Sequence, residues 1–563
     1  MTTPAFCSNI PIHSLSSRSS FITTSISKKN NTSSNNTIAT NKTRAPKWVA
    51  ISPRNSVQST QLNLNSVSSW STGEFLDDDK IWNMKGSRMS KIVCTLGPKT
   101  CDVQSIEKLA ETGMDIVRLN MSHGTHEWHE NVIKNVREIN SKGTFNLAIL
   151  LDTKGPEVRS GDLKTPLKVK RGQQFTWTIR KDVENFDTNM VDVSYDDFIN
   201  DVKVGDMLLV DGGMCSFLVT DMTDTDVISE CIDGGTLTSR RHLNVRGKSA
   251  SLPAITQKDW EDIDFGIKMN VDFYALSFVK HENDVSRLIE YLRNKNCKAY
   301  VLSKIESADA VHRLRPILEA SDGAMVARGD LGAEIPIEDV PLIQDEIIGI
   351  NREIQKPTIV ATHMLESMIT YPTPTRAEVA DITEAIRQGT DATMLSGETA
   401  NGSFPIKALT VMATVAESVV SQDNALSNTD LFSPLNSDAY SDVDPRFHLA
   451  FNASTLASRL NVATIVVFTR TGTYAKLISA TRPRCPIVAF TPDSDLVRRL
   501  TLLWGIKPYQ MELLDDPEET ISNAIKLLKE KGLVCSGDNI VISSDMLSKG
   551  LETVDTIQVR RVR

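Results

Sequence analysis

Two short stretches carry groups for which a buried strand has no structural use. In "AYVLSKIE", Ala299 to Glu306, an apolar run ends on Lys304 and Glu306. In "VARGDLGAEIP", Val326 to Pro336, another ends on Arg328, Gly329 and Asp330. Glu306 and Asp330, closing adjacent strands, can converge on one hard cation. Two carboxylates that leave room for substrate oxygens and water suit Mg²⁺. Lys304 and Glu306 are alternate residues, so on a strand their side chains share a face. An ammonium beside a bound divalent cation stays charged and stabilises a phosphoryl group in flight as a point charge. Gly329, without a Cβ, lets its backbone amide approach an anionic ligand. A lone Arg-Gly-Asp reads as an ordinary surface turn, so the argument depends on whether other runs end in the same way.

They do. "DIVRLNMSHG" (Asp115 to Gly124) closes on Arg118, Asn120 and Ser122, and "LAILLDTKGPEVR" (Leu147 to Arg159) carries Asp152, Thr153 and Lys154. "PTIVATHML" ends on Thr362 and "ATMLSGET" on Ser396. Arg118 and Arg159 add fixed positive charge suited to phosphate oxygens. Asn120, Ser122, Asp152 and Thr153 supply several neutral oxygens and a single charge. That set suits a monovalent cation, or else a hydrogen-bonded network tying strand ends together. The hydroxyls of Thr362 and Ser396 can orient a carboxylate or relay a proton through water, or simply satisfy backbone groups. His123, His126 and His129 are evenly spaced, but no carboxylate or cysteine ligand stands beside them, which argues against zinc. No Gly-x-x-x-x-Gly-Lys-Ser/Thr loop is present, so a P-loop nucleotide site is excluded.

These residues need a scaffold that brings many strand ends to one place. With "KIVCTLG" (Lys91 to Gly97), "FYALSFVK" (Phe273 to Lys280) and the runs above, the chain offers three strand–helix units, an interruption and five more. Continuous apolar runs suit strands buried on both faces. Helical patterns separate them, such as His126 to Gly143 and Pro374 to Gly389; in the second, Thr375 and Glu378 form a capping-box pattern and Gly389 is a stop. Eight alternating units predict a closed (β/α)₈ TIM barrel over 74–156 and 252–425, with its chemistry at the carboxyl ends of the strands. The interruption, 157–251, alternates and contains Asp-Gly-Gly turn signals, so it reads as an inserted small all-β domain at the rim, able to act as a lid. Residues 426–447 lose periodicity and read as a loose linker. Beyond them, to 563, strand–helix alternation resumes as a C-terminal α/β domain.

Composition narrows the classes. The chain has 563 residues and a net charge of −9, with no long basic run, so nucleic acid is not an expected partner. No run of about 18 uncharged apolar residues suggests a membrane span. The cysteines are scattered without Cys-x-x-Cys spacing, as in a reducing compartment. Residues 1–73 are crowded with Ser, Thr and Asn and contain no acidic residue, which predicts a disordered transit peptide. The excess of hydroxyl residues over arginine favours the plastid (chloroplast stroma) over the mitochondrion.

Taken together, "SKIVCTLGPKT", "RLNMSHG", "LDTKGPEVR", "SKIES", "SDGAMVARGDLGAEIP", "ATHMLESM", "PTPTRAEVADI" and "MLSGETANG" resemble the pyruvate kinase family, with the likeness running from Lys91 to Arg563. "SRRHLNVRGKSASLPAITQKDW" resembles the plastid type, and the ending "GDNIVISSDM" its alpha-type subunit. The resemblance implies transfer of the phosphoryl group of phosphoenolpyruvate to ADP, giving pyruvate and ATP. It implies Mg²⁺ on Glu306 and Asp330, and K⁺ on Asn120, Ser122, Asp152 and Thr153. Lys304 and Arg118 would act on the transferring group. Gly329, Asp330 and Thr362 would hold the phosphoenolpyruvate carboxylate, and Asn120, His123 and Arg159 would lie on the nucleotide side. Protonation would use water near Thr362 and Ser396. Glu157 matches the glutamate of potassium-dependent members. A homo- or hetero-oligomer with other pyruvate kinase subunits is implied as well.

Three departures stand out. The family's usual "SKKG" in the inserted domain is "SRRH" here, Ser239 to His242, so a lid contact with phosphate would come from arginine. "VDDG" is "VDGG" at Val210 to Gly213, which removes one carboxylate. "TRTGTYA" (Thr469 to Ala475) keeps the outline of a sugar-phosphate loop, but "SSDMLSKGLETVD" replaces the glycine-rich Trp-Arg-Pro loop, so activation by fructose 1,6-bisphosphate is not expected. These changes motivate one alternative, a mainly regulatory or scaffolding subunit. A Mg²⁺-dependent lyase on a 2-oxo acid is a further rival, but it leaves Lys304, Arg118, Arg159 and the lid without a task.

Overall fold

A computed structural model describes residues 88–181, 189–247, 252–422, 445–547 and 553–563. The segment read as a transit peptide and most of the linker read over 426–447 lie outside them; a helix, Pro445–Leu460, already begins within that linker's last residues. All described residues belong to one unit, Phe75–Arg563.

Eight parallel strands close on one another: Lys91–Thr95, Ile116–Asn120, Ala148–Asp152, Phe273–Leu276, Tyr300–Ile305, Gly323–Ala327, Thr358–Ala361 and Ala392–Leu395. The last pairs with the first, Ala392 opposite Lys91. This is the barrel expected from the eight apolar runs. Its strands are buried throughout because side chains fill the inside and helices cover the outside. Alternation sorts the residues. Val93, Ile116, Leu150, Leu302 and Met394 pack in the interior, while Ile92, Val117, Ile149, Val301 and Leu395 face the helices. Continuing the inward parity toward the carboxyl ends gives Thr95, Arg118, Asp152, Lys304 and Ser396. One face of each strand thus changes from apolar to polar along its length.

Local signals fix the helices. Thr375 and Glu378 make the expected capping box ahead of helix Arg376–Arg387, and Gly389 beyond it takes φ +89°, where a side chain would be strained. The inserted domain is mainly β, a six-stranded sheet with a two-stranded one and a short helix at Phe198–Asp201, around an aromatic cluster of Phe175, Trp177 and Phe217. In the C-terminal domain, four parallel strands and a final antiparallel one, Thr553–Arg561, form a five-stranded sheet. Most of "SSDMLSKGLETVD" falls in the last two strands, with 548–552 outside the described residues.

The C-terminal domain is anchored on the amino ends of the barrel strands. Leu502 joins the barrel-interior cluster. Arg482 ion-pairs with Asp391 at 2.8 Å, both about 3% exposed, and donates to the Gly389 carbonyl. Asp391 also accepts from the Trp504 and Thr358 amides, each at 3.0 Å. Arg482→Met is expected to destabilise the protein by about 3 kcal/mol, since breaking a buried pair leaves an uncompensated charge. The cost should sit at the low end of that range because Arg352 also interacts with Asp391. A urea titration followed by Trp504 fluorescence checks this, and an unchanged midpoint would refute it.

Candidate active site

The carboxyl ends of barrel strands two to five present a row of alternating charges. Arg118 Nε donates to Asp152 Oδ2 at 2.7 Å, and Nη1 donates to Thr95 Oγ1 at 2.9 Å. Asp152 Oδ1 lies 3.2 Å from Lys304 Nζ, which is 3.2 Å from Glu306 Oε2. Lys304 also donates to Ser277 Oγ at 2.7 Å. Asp152 and Glu306 are fully buried, and Lys304 nearly so.

Burial alone would raise the Asp152 pKa, but the charges of Lys304 and Arg118 outweigh it and hold it below the usual value. Burial alone would lower the Lys304 pKa, yet Asp152, Glu306 and Asp330 together push it well up, so it is a permanent cation. Glu306 goes the other way. Burial drives its carboxyl up, Lys304 opposes, and the negative charge of Asp330 adds to the rise. Its Oε1 accepts from the Phe278 amide at 2.6 Å, while the buried Oε2 receives no hydrogen bond.

Asp330 approaches from the neighbouring strand, though not from the strand itself as expected. Strand Gly323–Ala327 stops short, and Arg328–Glu334 is a short helix with Asp330 in its first turn. Two features bend the chain there. Leu331 and Ala333 bury into the core, and the Arg328 guanidinium crosses to the next strand. It donates to the Ala361 and Thr362 carbonyls at 3.3 and 2.6 Å and pairs with Asp381 at 2.6 Å. Burial raises the Asp330 pKa, but a contact with His242 at 3.3 Å, followed by Lys304, brings the net shift downward.

The remaining expected residues divide between two places. Arg118, Asn120, His123 and Ser396, with Thr95 and Pro98, line a pocket of about 550 Å³. The Ser396 hydroxyl is buried there without a hydrogen-bond partner. Ser396, like Thr362, lies one residue beyond its strand. Gly329 N–H, expected to face an anion, donates to Thr362 Oγ1 at 2.8 Å, and Thr362 adopts φ +68°. Arg159 is not among the residues lining that pocket. It sits at the junction with the inserted domain, donating to Glu157 at 2.7 Å and to the Arg240 carbonyl.

Around the low-charge set, Asn120 Oδ1 accepts from the Ser122 amide at 3.0 Å, and Asn120 stands opposite Asp152 in register. Thr153 Oγ1 accepts from Ser277 N–H and donates to the Ala275 carbonyl. These bonds form a network that ties the strand ends together. The histidines have other partners: His126 Nε2 meets Asp262 at 2.7 Å, and His129 Nε2 meets the His123 carbonyl at 2.9 Å.

Several residues of this site were not singled out in the sequence. Ser277 closes the fourth apolar run just as Ser396 closes the eighth, so the repeat rule itself pointed to it. Lys258 and Asp259 had no such signal. Lys258 donates to the Met121 carbonyl at 3.0 Å and Asp259 accepts from Gly155 N–H at 3.0 Å. Helix Gln257–Lys268, just after the inserted domain, thereby grips the loops that follow Asn120 and Asp152. In the inserted domain the expected arginine contacts are internal: Arg240 pairs with Asp162 and Arg241 with Asp211.

Models of two known domains match this chain: the pyruvate kinase barrel domain over residues 87–409 and the pyruvate kinase alpha/beta domain over 448–560. The chain belongs to the pyruvate kinase family. It is 51% identical over 478 residues to plastidial pyruvate kinase 2 of Arabidopsis thaliana, covering 84% of this chain and 81% of that one. It is also 51% identical to the chloroplastic pyruvate kinase isozyme G of Nicotiana tabacum, with 87% and 85% covered. Identity to the chloroplastic isozyme A of Ricinus communis is 44%, with 82% and 81% covered. The crystal structure of a pyruvate kinase from Cryptosporidium parvum superposes with a TM-score of 0.79 at 34% identity, covering 86% of this chain and 98% of that one. The barrel, inserted domain and C-terminal domain are thus those of a pyruvate kinase.

Arg328→Lys is expected to keep the fold but release the Thr362 turn, because one ammonium cannot serve both carbonyls and Asp381 together. Amides of residues 362–365 should exchange about tenfold faster, equivalent to losing roughly one charge-assisted hydrogen bond. Hydrogen-exchange mass spectrometry reads this directly. Unaltered protection there would show that Arg328 does not hold the turn.

Proposed function

We propose that this chain itself carries pyruvate kinase activity, breaking the phosphorus–oxygen bond of phosphoenolpyruvate, forming one to ADP, and protonating the enolate carbon to give pyruvate. The observation that carries this reading is the buried Lys304 ammonium set between Asp152 and Glu306 at the mouth of the barrel. Its pKa, pushed upward, keeps it cationic at any physiological pH. A fixed cation in a water-poor site stabilises charge spread over a transferring phosphoryl group without reorganising.

Glu306 and Asp330 would hold Mg²⁺. In support, Glu306 Oε2 is a buried oxygen with no hydrogen bond, and burial together with the negative charge of Asp330 disfavours the ionised Glu306 carboxylate until a cation joins it. Bound there, the ion would supply positive charge to phosphoryl and enolate oxygens. Asn120, Ser122, Asp152 and Thr153 would hold K⁺, a reading that rests on their low total charge and on Glu157. Arg118 contacts phosphoryl oxygens, Gly329 and Thr362 orient the substrate carboxylate, and Asn120, His123 and Arg159 serve the nucleotide. Thr362 and Ser396 frame the water path for the proton; the unpartnered Ser396 hydroxyl fits that role. The chain works in the plastid (chloroplast stroma), in an oligomer with like or related subunits. The relatives named plastidial or chloroplastic and the N-terminal composition support this.

Pyruvate formation from phosphoenolpyruvate and ADP by the purified mature chain tests the reading. Turnover by the chain alone, lost on removing Mg²⁺ and lowered without K⁺, is expected; activity only after adding a second subunit would mean a regulatory role. Lys304→Met should leave phosphoenolpyruvate KM nearly unchanged and reduce kcat by about 10²- to 10³-fold, roughly 3–4 kcal/mol of transition-state stabilisation. A near-normal kcat in a variant with unchanged melting would remove Lys304 from the chemistry.

A further inference from the structure

His242 is the inserted-domain side chain that meets Asp330. Its Nδ1 lies 3.3 Å from Asp330 Oδ1, and its side chain is only 16% exposed. The ring stands edge-on to Phe278 with centroids 6.0 Å apart, and the Phe278 amide is the donor to Glu306 Oε1. His242 therefore adjoins the surroundings of both carboxylates.

Its backbone is pinned as well. It bridges Arg159, near the start of the inserted domain. Its carbonyl accepts from Asp211 N–H at 2.9 Å, and the next amide, Leu243 N–H, donates to the Val158 carbonyl at 2.9 Å. Asp211 is in turn paired with Arg241. The imidazole is thus presented by a bridged residue at the start of strand Leu243–Val245, and Asp330 is presented by a helix that Arg328 anchors. His242 ends the "SRRH" stretch that departs from the family's usual "SKKG".

We propose that His242 is a positioning residue for the divalent metal: its Nδ1–H donates to Asp330 Oδ1, fixes that carboxylate, and leaves the second oxygen to the cation. This rests on reading Glu306 and Asp330 as the metal ligands. Hydrogen bonds to a ligating carboxylate set its orientation and are commonly worth ten- to a hundredfold in metal affinity. Because the donor comes from the inserted domain, metal affinity and the placement of that domain are linked: whatever displaces the strand end at His242 also releases Asp330.

The test uses Mn²⁺ as a spectroscopic stand-in, with free Mn²⁺ measured by electron paramagnetic resonance on the mature chain without substrates. His242→Ala should raise the Mn²⁺ dissociation constant about tenfold or more. His242→Asn, whose amide nitrogen falls near the Nδ1 position, should restore most of the affinity, and His242→Gln, with its donor near Nε2, should not. Unchanged or tighter binding by His242→Ala, or equal weakening in the Asn and Gln variants, would overturn the proposal. Glu306→Gln serves as the control. If it also binds Mn²⁺ normally, the metal reading itself fails; if it alone loses binding, only the role of His242 fails. Melting curves on each variant separate these outcomes from misfolding.

Discussion

The site depends on charge neutrality in a place that water barely reaches. Removing one carboxylate or one ammonium from water costs several kcal/mol even after relaxation. Here Arg118, Asp152, Lys304 and Glu306 share that cost by alternating in sign at 2.7, 3.2 and 3.2 Å. The two inner members are held firmly in their charged forms. Asp152 lies between two cations and is held low, and Lys304 lies between two anions and is held high. Glu306, at the end of the row, has only one cation beside it and a second carboxylate beyond, so its proton is favoured. A row that ends under-neutralised is a row built to receive positive charge.

Strand periodicity is what assembles the row. Interior positions of a barrel strand recur every second residue, so Leu302, Lys304 and Glu306 form one inward column and Ile116, Arg118 and Asn120 another. The lower members supply the packing that closes the barrel; the upper members, beyond the reach of that packing, are free to be polar. The turns that follow then aim the outermost groups. Phe278, Thr362 and His363 all adopt positive φ despite their side chains, at 51°, 68° and 55°. Such conformations persist only where neighbours enforce them, and here the enforcing contacts are the Glu306 carboxylate on Phe278 and the Arg328 guanidinium on Thr362.

This explains what the sequence disclosed and what it withheld. Apolar runs with polar ends are a one-dimensional pattern, so the eight strands, the capping box at Thr375 and the pairing of Lys304 with Glu306 could be read directly. Asp330 was placed on a strand because its run looks continuous; the helix at Arg328 arises from a guanidinium bonded to carbonyls 33 and 34 positions away, which no local pattern encodes. Lys258 and Asp259 were invisible for the same reason, since their importance comes from the Met121 carbonyl and the Gly155 amide. His242 was noticed only as the end of an altered motif. Its partner became evident once the inserted domain was seen to return its chain beside Arg159.

The two ends of the barrel divide stability from chemistry. At the amino ends, Arg482 and two backbone amides bond both oxygens of Asp391 and tie the C-terminal domain to the barrel. At the carboxyl ends, Glu306 Oε2 has its ion-pair contact with Lys304 but no hydrogen bond, and the Ser396 hydroxyl has no hydrogen-bond partner. Leaving the Ser396 hydroxyl unsatisfied is a standing penalty of about 1–3 kcal/mol. A fold can carry that penalty only if it is secured elsewhere, and the closed apolar interior with the docked C-terminal domain provides the security. The inserted domain and helix Gln257–Lys268 then meet the site from the side, through His242 and Lys258, where a shift of either would disturb ligands without loosening the barrel.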